Sequence, residues 1–147
     1  MPAANYVLLR RFSAKEEPRR LIAAPFLASD YDYQQVGLEN HLNYIYRQQG
    51  QLADAETVGL SALLNSGLID RYFRIANGNT QVNATELRVL PLPSWDSITL
   101  IGHQVLKHGN LQASADLDGI VTQALQQAEI LPLDFPVIRE TRISWGK

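Results

Sequence analysis

The apolar residues of this chain change period once, near residue 54, and that switch restricts it to a sheet followed by helices. Before it the runs are short and β-type. Tyr6 to Phe12 reads as one strand and Arg19 to Leu27 as a second, parted by the charged turn Ala14-Lys15-Glu16-Glu17-Pro18. Pro25 donates no ladder hydrogen bond, so the second strand belongs at an edge or ends there. Gly37 to Arg47 alternates: Leu38, Leu42, Tyr44 and Tyr46 point one way and Glu39, His41, Asn43 and Arg47 the other, with Asn40 and Ile45 as exceptions. This predicts a half-buried strand whose polar face carries His41, Asn43 and Arg47, closed by the polar loop Gln48-Gln49-Gly50-Gln51.

From Asp54 onward Leu60, Leu63, Leu64, Gly67 and Leu68 recur at helical spacing, predicting one helix to about Ala76 or two joined near Ser66-Gly67. Asn77-Gly78 suits a helix end in left-handed backbone angles, and Asn83-Ala84-Thr85-Glu86 has the pattern of a capping box. Ser94 is placed to cap a helix to about His108, with Trp95, Ile98, Ile101 and Val105 inward. Asp116 caps a last helix with Leu117, Ile120, Val121, Ala124, Leu125 and Ala128 on its apolar face. Beyond Leu131 the prolines and Trp145-Gly146-Lys147 predict an irregular tail. The expected class is α+β, with N-terminal antiparallel strands packed against a C-terminal set of helices. One domain covers residues 1–131, strands at about 5–47 and helices at about 54–130, followed by the tail 132–147.

Composition closes several other classes. With 46% apolar and 19% charged residues the chain is neither disordered nor membrane-like. It has no spanning run of apolar residues and no basic-then-apolar leader, so no membrane partner is expected. A net charge of -2 argues against a strongly basic nucleic-acid coat. The absence of cysteine removes disulfides, Cys-ligated zinc and thiol chemistry. It also suits a reducing compartment, and a cytoplasmic location is expected.

Catalytic signatures are missing as well. His103 and His108 are five apart, off one helical face, and there is no His-Glu-x-x-His, so no metal site is expected. The chain holds no Gly-x-Ser-x-Gly elbow, no phosphate-cradling glycine loop and no dinucleotide fingerprint. Asp116 and Asp118 read as the negative charge that a helix N-terminus favours. His41 with Glu39 lies on one strand face and would serve an acid–base enzyme, but no nucleophile accompanies them.

What stands out is the supply of amides and guanidinium groups. Six of the eight asparagines fall between Asn40 and Asn83, interleaved with Arg47, Arg71, Arg74 and Gln81. Asn and Gln pair bidentately with adenine and Arg with guanine, because their planar forks match base edges in the major groove. Arg10, Arg11, Arg19 and Arg20, on the two early strands, are placed to clamp phosphates. In Asn77 to Asn83 the end residues read as caps, which leaves Asn79, Thr80 and Gln81 free to reach a partner. The competing reading is structural, since turn asparagines commonly shape backbone and arginine doublets at strand ends are commonly solvated.

Four segments in order resemble a known pattern: Tyr6 to Glu17, Val36 to Tyr46, Gly59 to Ser66 with Asp70 to Ile75, and Asn77 to Pro93. Together they resemble the C-terminal target-recognition region of restriction–modification enzymes that methylate adenine N6 in DNA. There a Leu-Leu-Asn-Ser helix and a Leu-Pro-Leu-Pro exit, here Leu63 to Ser66 and Leu90 to Pro93, close the recognition domain. Such enzymes carry an Asn/Asp-Pro-Pro-Tyr/Phe loop for the flipped adenine and a glycine-containing strand–loop for S-adenosylmethionine. This chain has no Pro-Pro pair and no such loop.

The resemblance therefore implies recognition without the catalytic part: a DNA-binding target-recognition (specificity) module of an adenine-N6 methyltransferase. His41, Asn43, Arg47, Asn79, Thr80 and Gln81 are the expected groove contacts, and Arg10, Arg11, Arg19 and Arg20 the expected phosphate contacts. No catalytic residue and no cofactor are expected in this chain, S-adenosylmethionine belonging to the parent enzyme. The expected partners are double-stranded DNA and a methyltransferase catalytic domain or subunit. The alternative is a protein-interaction module that docks on a methyltransferase or restriction subunit, or forms a homodimer, through its last two helices and Trp145.

Overall fold

β1 (Tyr6–Arg10) lies inside an antiparallel sheet of order β2-β1-β3-β4, with β2 spanning Ala23–Phe26, β3 Leu42–Arg47 and β4 Ile143–Gly146. The computed structural model describes residues 1–109, 114–128 and 143–146. After β3 come α1 (Asp54–Leu64), α2 (Gly67–Ala76), α3 (Ala84–Arg88), α4 (Trp95–His108) and α5 (Ser114–Gln127). The fold is α+β, with the antiparallel strands packed against the helices through α1. Among the described residues no helix is long and apolar enough to cross a membrane.

Val7 pairs with Ile45 and Leu9 with Asn43, and all four side chains are buried against the helices. This inverts the predicted faces of β3. Asn43 and Ile45 point inward, while Leu42, Tyr44 and Tyr46 share the outer face and are only partly covered. Tyr6, Phe26, Tyr44 and Tyr46 cover one another there, Tyr6 meeting Tyr44 edge-on at 6.0 Å. Aromatic bodies tolerate such half-exposed surfaces because their large area is shielded by neighbouring rings. Residues 37–41, expected to extend the strand, precede it as irregular backbone.

Pro25 sits on the edge strand β2, as its missing N–H requires. The free side of β2 is closed by Asn65, whose carboxamide accepts from Ala23 N–H at 2.9 Å and donates to Ala23 C=O at 2.7 Å. A side chain thereby supplies the next rung of the ladder. The tail expected to be irregular contains β4, on the far edge of β3, while residues 132–142 and Lys147 lie outside those described. Four residues hold as a strand only where a neighbour offers unpaired backbone, which local composition does not reveal.

α1 is buried on nearly every side, as a helix at the centre of a domain must be. Its polar residues Thr57 and Ser61 return their hydroxyls to the backbone, to Ala53 C=O at 2.9 Å and Thr57 C=O at 2.8 Å. Ser66 separates α1 from α2 and caps the latter. α2 ends at Asn77 as expected, but in an extended conformation (φ -133) rather than a left-handed one. Glu86 accepts the Asn83 N–H at 3.0 Å, forming one half of the predicted capping box. Ser94 caps α4, which stops at Gly109 with φ 69, a value glycine adopts without a Cβ clash.

Candidate nucleic-acid interface

The segment 79–82 is tied by its backbone to the end of β1. Val82 N–H donates to Arg11 C=O at 2.7 Å and Ser13 N–H to Thr80 C=O at 3.2 Å, so Phe12 and Gln81 lie directly opposite as an antiparallel bridge. Arg11 N–H donates to His41 C=O at 3.0 Å on the way into β3. These bonds occupy the backbone of the segment and leave the side chains of Asn79 and Thr80 exposed and that of Gln81 half-buried.

Six of the predicted contact residues thereby gather at one end of the sheet: Arg10, Arg11, His41, Asn79, Thr80 and Gln81. Arg10 is exposed and forms a paired contact with Glu17, at 3.2 and 3.4 Å. Arg11 donates to Asn40 C=O at 3.0 Å. The exposed His41 ring faces Glu39 at 3.0 Å. An exposed ion pair such as Arg10–Glu17 is individually weak, so Arg10 is available for exchange onto another anion. Arg10, Phe12, Ser13, Glu17 and Thr80 border a shallow depression of about 200 Å³. Arg11, Asn43, Asn83, Thr85, Glu86 and Arg88 border a larger open cleft of about 610 Å³.

The other four residues are structural in this arrangement. Arg20 is 2% exposed. It donates to Ser13 Oγ at 3.1 Å and to Asn79 C=O, and stands 5.9 Å over the Phe73 ring. A guanidinium so enclosed cannot reach a phosphate. Asn43 is 3% exposed and its amide is engaged internally, donating to Val82 C=O at 2.9 Å. Arg47 lies at the opposite end of β3, bonded to Glu56 at 2.9 Å and 5.1 Å over the Trp95 ring. It staples the strand to the starts of α1 and α4. Arg19 binds Asp118 at 2.8 Å and Asn65 C=O at 3.2 Å on the helical side.

Most of the amide supply is likewise internal: Asn65 closes the edge of β2, Asn77 ends α2, and Asn83 begins α3. Asp118, read as charge for its own helix, instead accepts the first N–H of α2, Gly67, at 2.7 Å. Arg74 clips the charged turn, donating to Lys15 C=O at 2.9 Å and Glu17 C=O at 2.7 Å. Two exposed residues of this end were not singled out from the sequence, Phe12 and Arg88. The cue for Phe12 was its place in the alternating series Tyr6, Leu8, Arg10, Phe12. Arg88 follows a short amphipathic turn and gave none. Among the described residues no group of three or more His, Asp or Glu is gathered as for a metal ion.

A sheet end bearing exposed guanidinium and amide groups, with no assembled reaction centre among them, defines a candidate binding surface. Over most of its length the chain is related to a segment of restriction–modification methyltransferases of type II. It is 37% identical over 124 residues to the type II methyltransferase M.BsuBI of Bacillus subtilis, covering 84% of this chain and 25% of that protein. It is 40% identical over 126 residues to the type II methyltransferase M.PstI of Providencia stuartii, covering 86% of this chain and 24% of that protein. The chain thus spans about a quarter of the length of the curated relatives it matches. No family model matches the chain, and no solved structure matches it.

Proposed function

We propose that the chain is a DNA target-recognition module of a restriction–modification adenine-N6 methyltransferase. The observation that carries this reading is the relationship to two type II methyltransferases across 84–86% of the chain. The surface supports it: Arg10 and Arg11 position the duplex through phosphates, and Asn79, Thr80, Gln81 and His41 are offered to base edges. The net charge of -2 makes the predicted binding weak, because phosphate neutralisation supplies most non-specific affinity.

Among the described residues, the ends of β1, β2 and β3 do not fit S-adenosylmethionine. β1 runs into a charged turn, β2 into a single 3-10 turn and β3 into the polar loop 48–51; none leads to a glycine-rich loop. The methyl donor and the extrusion of an adenine from the duplex are thereby assigned to a catalytic domain or subunit that this module serves. Incubating the chain with duplex DNA and radiolabelled methyl donor tests the division of labour. No transfer is expected; label on DNA would overturn the non-catalytic reading.

A further inference from the structure

Phe12 is a large apolar side chain at the arginine-bearing end of the sheet, and it is 48% exposed. Its neighbours hold it there. The residues on either side, Arg11 and Ser13, are bonded to Val82 and Thr80, and Arg11 N–H is bonded to His41 C=O. The ring therefore projects from backbone tied on more than one strand. The Arg11 guanidinium stands 6.0 Å from the ring centroid and the His41 ring 6.0 Å away, tilted at 56°. Gln81 is directly opposite in the bridge, so its side chain leaves the backbone on the same side as the ring.

A rigid aromatic ring beside arginines and an amide is the combination that stacks on nucleobases, since every base presents a π-face while the cations hold the backbone. Electrostatics at this end is partly cancelled, Arg10 by Glu17, so an apolar contact has a larger share of the binding to supply. We propose that Phe12 stacks on a nucleobase that has left its place in the bound duplex, with Gln81 beside it at the base edge. This inference rests on the DNA-binding reading above.

The test uses the full chain and two labelled duplexes, one fully paired and one with a single-base bulge of 2-aminopurine. An unpaired base costs less to unstack, so the parent is expected to bind the bulged duplex more tightly and to raise its fluorescence as the base leaves the stack. Phe12→Ala is expected to weaken bulge binding about ten-fold and to abolish the rise, while Phe12→Trp retains the tight binding. A half-exposed ring contributes little to the core, and matching thermal melts confirm that the variants are folded. If the parent binds DNA and Phe12→Ala behaves identically on both duplexes, the stacking role is overturned and the DNA-binding reading stands. If the parent binds neither duplex at the lowest salt, the DNA-binding reading itself is overturned. Loss of self-association in Phe12→Ala, with DNA binding untouched, reassigns the ring to a protein contact and overturns the proposal.

Discussion

The buried Asn43 carboxamide donates to the carbonyl of Val82 at 2.9 Å, fastening the segment that carries Asn79, Thr80 and Gln81 to the inner face of β3. A residue that looked like a groove contact is thus the support of the residues that remain candidates. Asn43→Leu keeps the volume and removes the donor, leaving a buried carbonyl unmade. The expected cost is about 1–3 kcal/mol, read from urea unfolding. Amide exchange at Val82 is expected to quicken in step. An unchanged midpoint would show that the segment is held by its backbone bonds to β1 alone.

α1 and α4 cross at Gly59 and Gly102. A Cβ on Gly59 would lie 1.9 Å from Ile98 O, and one on Gly102 would lie 1.8 Å from Ala55 O. Replacing a helical glycine by alanine ordinarily gains roughly 1 kcal/mol. Here the helices must part, and with a Cβ this deep in backbone the overpacking cost, at or above the top of its usual range of about 1–3 kcal/mol, outweighs that gain. Gly59→Ala and Gly102→Ala are each expected to lower the melting temperature by about 3 °C or more. A rise in either would mean the two helices cross further apart than this.

Burial raises the Tyr6 phenol above its ordinary value of 10.0, and ionisation of Tyr44 and Tyr46 pushes in the same direction. The folded chain then holds this proton more tightly than the unfolded one. Its contribution to stability is complete below pH 10 and is lost as pH rises from there through the higher folded value. Tyr6→Phe is expected to flatten the alkaline loss of stability. At neutral pH it costs about 1 kcal/mol, through the hydroxyl's 2.8 Å bond to Pro2 C=O. Urea midpoints across this range provide the measurement; parallel curves for parent and variant would contradict it.

The order of elements was legible because period two and period 3.6 are local properties of a sequence. Ser66, Ser94 and Glu86 likewise announced helix starts through bonds made within a few residues. The faces of β3 were not legible. Four polar residues, Glu39, His41, Asn43 and Arg47, outvoted Ile45, although Ile45 entered the core. Asn43 could follow it inward because a carbonyl from a segment far along the chain met its side chain. Adjacent arginines pose the same difficulty: Arg10 is exposed while Arg20, of the same residue type in a similar doublet, is enclosed by Ser13, Asn79 and Phe73. Strand phase and distant partners make that choice, so among the described residues the end of the sheet around Phe12 is the candidate surface.

Fluorescence anisotropy of a labelled duplex across a salt series, comparing the parent with an Arg10→Ala/Arg11→Ala double variant, addresses DNA binding at this end of the sheet most directly. If these two guanidinium groups contact phosphates, the parent binds at low salt, its affinity falls as salt rises, and the variant's log–log slope is shallower by about two. An absence of binding at the lowest salt, or identical slopes for both proteins, would contradict the assignment of this surface to DNA.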